Sequence, residues 1–292
     1  MRKKMILATV LFSMTFFSPG FSLQEQDAEK IVRETVAKET TIDGQAAALI
    51  ELAWFDKTAS KEVPELAKKK LKEFGRWAKP MLNKYIVTAP ASVQKEMMPY
   101  LIWAYEEGGT SHDRDYLATC IYLLKTAERD VKILAMDAMT VFPIREGYLP
   151  VIDAAYEDPS LELRAIRTLG FIANPKSTDY LMEKIASPDK DVADAAEQAL
   201  LKMAPNVSLQ IKKGLLDDRQ NVRERCLRIF LNIAAIEDVS LLSHLQLKSD
   251  QFSKPLRNEL QKKIHELDEA KAKLEKEAEE AEKAATQEDT IE

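Results

Sequence analysis

The chain has 292 residues, is 46% apolar and 31% charged, and carries a formal net charge of −6. That balance belongs to globular proteins and excludes disorder throughout. Only 8 glycines are present, and after residue 22 the Val, Ile, Thr and aromatic residues form no alternating runs while Ala, Leu, Glu and Lys dominate, so a mainly β fold is excluded and an all-α protein is expected.

Residues 1–22 open with Arg2, Lys3 and Lys4, run through an apolar stretch from Met5 to Phe17, and end in Ser18-Pro19-Gly20-Phe21-Ser22. Positive start, short apolar centre and small residues at the end form the pattern of a secretory signal peptide. The apolar stretch falls short of the roughly 20 residues needed to cross a bilayer. Cleavage after Ser22 is expected, giving a periplasmic or secreted protein with no stable membrane insertion. The two cysteines, Cys120 and Cys226, are three repeat units apart and are expected to be buried small hydrophobes rather than a disulfide. Without the leader the balance is 39 basic against 48 acidic residues, and residues 265–292 hold 11 acids against 4 lysines. The body from 23 to 264 is then near neutral, with no field that selects nucleic acid.

After a short helical cap over residues 23–44, segments beginning at Val63, Val93, Val131, Leu161, Val192 and Val222 repeat with steps of 30, 38, 30, 31 and 30 residues. Four residues into each stand Ala67, Met97, Ala135, Ala165, Ala196 and Cys226; eight residues in stand Leu71, Leu101, Met139, Leu169, Leu200 and Phe230. Positions four apart share one helical face, so each segment predicts a helix with a buried stripe. Shorter amphipathic stretches lie between them, at 46–55, 76–86, 115–127, 148–156, 178–185 and 208–216, and predict antiparallel partners. Turns such as Asp158-Pro159-Ser160, Ser187-Pro188-Asp189 and Asp217-Asp218-Arg219-Gln220 stop one helix and cap the next. Residues 239–247, with Phe252, Leu256 and Leu260, suggest a seventh hairpin. A hairpin of this size cannot bury its own apolar face, whereas a stack of them can.

The run Asp158-Pro159-Ser160-Leu161, followed by Ala165, Leu169, Gly170 and Ile172, resembles the HEAT repeat, and in particular the short bacterial, phycobilisome-lyase type of HEAT-like repeat. The resemblance is firmest over residues 148–237 and extends back to Gln45. It implies an α-solenoid of about six to seven hairpins over residues 45–264, with the second helices lining the concave side. It also implies a turn Asp paired with an Arg early in the second helix, matched here by Asp218 with Arg223 and in part by Asp130 with Lys132.

Six residues into each segment stand Lys69, Pro99, Asp137, Arg167, Gln198 and Arg228, the expected groove row. Its basic end is reinforced by Arg164, Arg223 and Arg225, whose planar guanidinium groups suit carboxylates. The protein-binding candidates are therefore Lys69, Asp137, Arg164, Arg167, Gln198, Arg223 and Arg228. An eight-residue excess coincides with Glu106 to His112 and reads as a tolerated surface loop. Trp54, Trp77 and Trp103 are expected in the core. Residues 265–292 are expected as an acidic helical or disordered tail, the helix after Asn258 capping the last repeat and then fraying, with Glu269–Lys273 and Glu279–Lys283 as supporting pairs.

His112, His244 and His265 are spaced for no metal site, Gly108-Gly109 is no phosphate loop, and no Gly-x-Ser-x-Gly elbow occurs. Among enzymes built on similar repeats, the iron hydroxylases need several His-Glu pairs and only His265-Glu266 occurs, the DNA glycosylases need a basic groove that a near-neutral body does not supply, and the bilin lyases, which leave no compact motif, are disfavoured by the leader. The expectation is a non-catalytic, exported scaffold or adaptor that takes no cofactor and binds one or more protein partners. The alternatives are an enzyme or chaperone-like subunit of a cell-envelope complex and a self-assembling rod.

Overall fold

The computed structural model describes residues 23–106, 114–204 and 206–288, with side chains described as far as residue 281. The leader and the 107–112 part of the insertion lie outside the described residues. Among the described residues the chain is all helical and contains no strand. It divides into two compact units, residues 1–119 and 120–292.

In the first unit α1 (Leu23–Ala37) packs on α2 (Ile42–Ile50) and α3 (Glu62–Phe74). Helix α2 starts inside the segment assigned to the cap, at Ile42, because Thr41 caps it by accepting from the Gly44 amide at 2.9 Å. It continues as a π turn over Glu51–Phe55. A 3₁₀ turn, Gly75–Ala78, leads into α4 (Lys79–Ile86), which packs on α5 (Ala91–Glu106). Gly75, at φ 55°, ends α3 in a backbone region that favours glycine. A polar chain ties the unit's end together: Thr119 donates to Asn83 at 2.7 Å, and Asn83 donates to Tyr105 at 2.6 Å. The unit boundary falls within α6 (Arg114–Thr126).

The second unit is more regular. Helices α7 (Arg129–Val141), α9 (Glu162–Ile172), α11 (Lys190–Met203), α13 (Gln220–Ile233) and α15 (Lys254–Glu288) pack each on the next, and α8 (Tyr148–Glu157), α10 (Thr178–Lys184), α12 (Ser208–Gly214) and α14 (Val239–Leu247) pack on the helices that follow them. The stripe residues read from the sequence are buried in both units, Val93 excepted, which is half-buried. Covering each such side chain contributes roughly 1.5–3 kcal/mol for a large aliphatic. Asp158, Asn174, Asp189 and Asp217 each accept from the amide two residues on, so the turns are closed by short side chains.

Two positions show how tightly the second unit is set. A Cβ on Gly170 would lie 2.9 Å from the Ala199 Cα, so α9 and α11 touch backbone to backbone. Ala173 ends α9 at φ 50°, a left-handed conformation that an L-residue adopts at a cost. Gly170→Ala is expected to lower stability by about 1–3 kcal/mol through overpacking. Ala173→Gly is expected to raise it by about 0.5–1 kcal/mol by relieving the cap. Urea denaturation followed by helical ellipticity checks both, and a neutral Gly170→Ala would mean that the helices can separate freely.

Candidate protein-binding surface

The outward row six residues into each stripe follows from helical geometry, since that position lies opposite the buried one. Lys69 and Pro99 belong to the first unit and Asp137, Arg167, Gln198 and Arg228 to the second. Lys69, Pro99, Arg167 and Gln198 are exposed; Asp137 and Arg228 are half-buried. Pro99 stands inside α5, where it removes one helical hydrogen bond.

Several of the cations are engaged within the unit. Arg164 on α9 donates to Asp137 on α7 at 2.7 Å. Glu197 on α11 accepts two bonds from Arg228 on α13, at 2.7 and 2.9 Å, and a third from Arg225 at 2.7 Å, which also reaches Asp194. The Glu197 and Arg225 side chains are only 13% and 12% exposed, so this cluster clamps adjacent second helices together. A charge in such a setting is stabilised by its partners, and removing one leaves the others uncompensated. Arg167 forms no ion pair among the described residues and stays available.

Arg223 differs from the expected ladder. Its guanidinium donates to the main-chain oxygens of Asp217 and Asp218, both at 2.7 Å, instead of to the Asp218 carboxylate. The carboxylate in this turn that is gripped is Asp217, which holds Arg219 through two 2.9 Å bonds. The five- and six-residue reach from Arg223 back across the turn brings its guanidinium to main-chain carbonyls of the segment between the two helices. In the other turn, Lys132 reaches Glu157 at 3.5 Å.

Between α11, α13 and α15 lies an open groove of about 490 Å³. Gln198 and Arg228 line it, with Leu201 and Ile229 at its floor and Lys262 and Lys263 on its far wall. The lysines were missed from the sequence because the outward row was read only from the six segments ending with that at Val222 and not from the seventh hairpin. The buried stripe Phe252, Leu256, Leu260 and Ile264 continues the repeat into α15, and it places Lys262 and Lys263 beside the row.

Aromatic residues follow the expectation less well. None of the three tryptophans is in the core: Trp54 and Trp103 are half-buried and Trp77 is 52% exposed. Trp54 donates its indole N–H to Glu96 at 3.1 Å and meets Tyr100 edge to face at 5.1 Å. Its polar edge needs a partner at the surface, which overrides the tendency to bury the ring. The core position goes to Tyr105, whose ring centre lies 4.5 Å from that of Tyr116 at a 51° tilt. In the second unit, Lys184 lies over the rings of Tyr156 and Tyr180. Burial opposes its charge, but bonds to Glu162 and Glu183 outweigh that and hold its pKa above the ordinary lysine range.

Both cysteines are buried and neither forms a disulfide, and burial pushes the Cys226 thiol up to about 12. Among the described residues no three His, Cys, Asp or Glu side chains gather as a metal site, and no helix is long and apolar enough to cross a membrane. His244 and His265 are exposed, and His112 lies outside the described residues. No protein-family model matches the chain, and no curated protein matches it.

Glu197→Ala is expected to cost about 2–3 kcal/mol by stranding two arginines, while Arg167→Glu should stay within about 0.5 kcal/mol. Thermal or urea midpoints separate the two; equal effects would contradict the division of labour. Arg219 holds the Asp217 carboxyl down to about 2. A depressed carboxyl contributes stability that is complete above about pH 4 and is lost as the pH falls toward 2. Asp217→Asn should therefore lower stability at neutral pH, leave it little changed near pH 2, and so flatten the acid limb of a stability profile over that window.

Proposed function

We propose that this chain is an exported, non-catalytic scaffold, an α-solenoid of about six to seven HEAT-like hairpins whose second helices present their outer faces to one or more protein partners. The observation that carries this reading is the groove between α11, α13 and α15, where the outward row meets apolar floor residues and unlike charges from successive helices. Packing of each second helix on the next in the second unit supports the repeat. Large protein-binding surfaces commonly combine such an apolar floor with a polar rim. Export rests on the leader pattern of residues 1–22.

The structural duty of Arg164, Arg225 and Arg228 narrows the binding candidates. Arg167, Gln198 and Lys263 can change without breaking an ion pair among the described residues, so they are the positions to alter. A photo-crosslinking amino acid at Gln198 is expected to yield a discrete adduct in envelope extract, whereas one at the exposed Asp153 on α8 yields none. Arg167→Glu with Lys263→Glu should remove that adduct while leaving the melting midpoint unchanged. Equal labelling at both sites, or none at Gln198, overturns the groove. The secreted protein is expected to begin at Leu23, which amino-terminal sequencing reads directly.

A further inference from the structure

Two charged surfaces remain outside the groove, and they are opposite in sign. Residues 61–86 hold eight basic against three acidic residues. On α3, Lys69 and Lys72 stand three residues apart and are exposed, and Arg76, in the turn that follows Gly75, is exposed as well. Lys72 lies 5.2 Å from the Tyr100 ring centre and Arg76 lies 5.0 Å from that of Trp77, so the cations stand on an aromatic base. None of the three forms an ion pair among the described residues. The paired lysines of this helix, Lys68 and Lys70, are the less exposed ones.

Helix α15 offers the counterpart. Among the described residues its last buried side chain is Ile264, yet it continues to Glu288. Twenty-four further residues extend roughly 36 Å at 1.5 Å each, far more than capping a hairpin requires. Leu267, Leu274, Ala278 and Ala281 lie along one face of that extension, and Leu274 is 53% exposed. Acidic residues dominate its sequence, and Glu275, Glu277, Glu279 and Glu280 are all exposed. The ion pairs within the helix run from Lys to the Glu four residues on, at 3.8–3.9 Å for Lys271, Lys273 and Lys276. Exposed pairs in that order contribute little and exchange readily.

We propose that the distal half of α15 docks on the Lys69–Lys72–Arg76 face of a second copy of this chain, its leucine seam covering Trp77 and its carboxylates meeting the cations. Donor and acceptor surfaces differ, so each chain carries both halves of the contact and association rises with concentration. Charge drives it, so salt dissolves it. It is independent of the partner groove, and either can stand if the other fails.

Multi-angle light scattering of the full chain at about 20 mM and about 500 mM NaCl tests it. The expected mass rises above the monomer with concentration in low salt and returns to the monomer in high salt. Removing residues 268–292, or replacing Lys69, Lys72 and Arg76 together by Glu, should each weaken association at least tenfold with helical ellipticity retained. Mixing these two variants is the decisive arm: one keeps the basic face and the other keeps the acidic helix, so they should form a one-to-one pair. A wild-type monomer at every salt and concentration, a truncated chain that still assembles, or a mixture that stays monomeric overturns the proposal.

Discussion

Everything in the second unit depends on helices that are individually too short to shelter what they carry. Helix α10 has seven residues and α12 has seven, less than two and a half turns each. Isolated helices of that length are unstable in water. They persist because each presents a narrow apolar stripe to a neighbour, and the neighbour presents the same stripe onward. The stripe is built from small residues at its centre, Ala165 and Ala196 among them, with Gly170 bringing α9 close enough for its backbone to touch that of α11. Substituting a larger side chain there does not adjust one contact; it moves every helix stacked beyond it.

Charge is used twice, and the two uses compete. An arginine facing outward can reach a partner or the acid on the next helix, and proximity decides. Glu197 takes both Arg225 and Arg228, and Asp137 takes Arg164, because successive second helices put these groups about 2.7 Å apart. Part-buried pairs of this kind hold the register of adjacent helices, whereas the exposed Arg167 and Lys69 are left with water. The surface open to a partner is accordingly more selective than the row of charges along the helices implies. Its best-formed part is the groove whose far wall comes from α15.

The periodic elements were legible because helical spacing survives any tertiary context. The starts and ends of α8, α10 and α14 lie within a residue of the limits set by the turn residues and the stripes. Burial of Cys120 and Cys226 followed from the same face assignment. The tryptophans were misplaced because average burial says nothing about where an indole N–H finds its acceptor, and Glu96 lies 42 residues from Trp54. Likewise Glu269 pairs with His265 and Lys273 with Glu277, reversing the expected direction. Several i,i+4 partners are in reach on a charged helix, and the sequence does not rank them; the Glu279–Lys283 pair lies beyond the described side chains.

Sequence alone determined that the chain is helical, where its helices turn, and that the repeating aliphatic stripes face inward, because these depend on a period of 3.6 residues and on local turn chemistry. Only the tertiary structure decided which outward charges are spent between helices and which remain free. It also joined the last hairpin and the acidic tail into one continuous helix, Lys254–Glu288. Such choices depend on distances between residues some thirty positions apart, and a difference of a few ångströms converts a solvated arginine into a clamp.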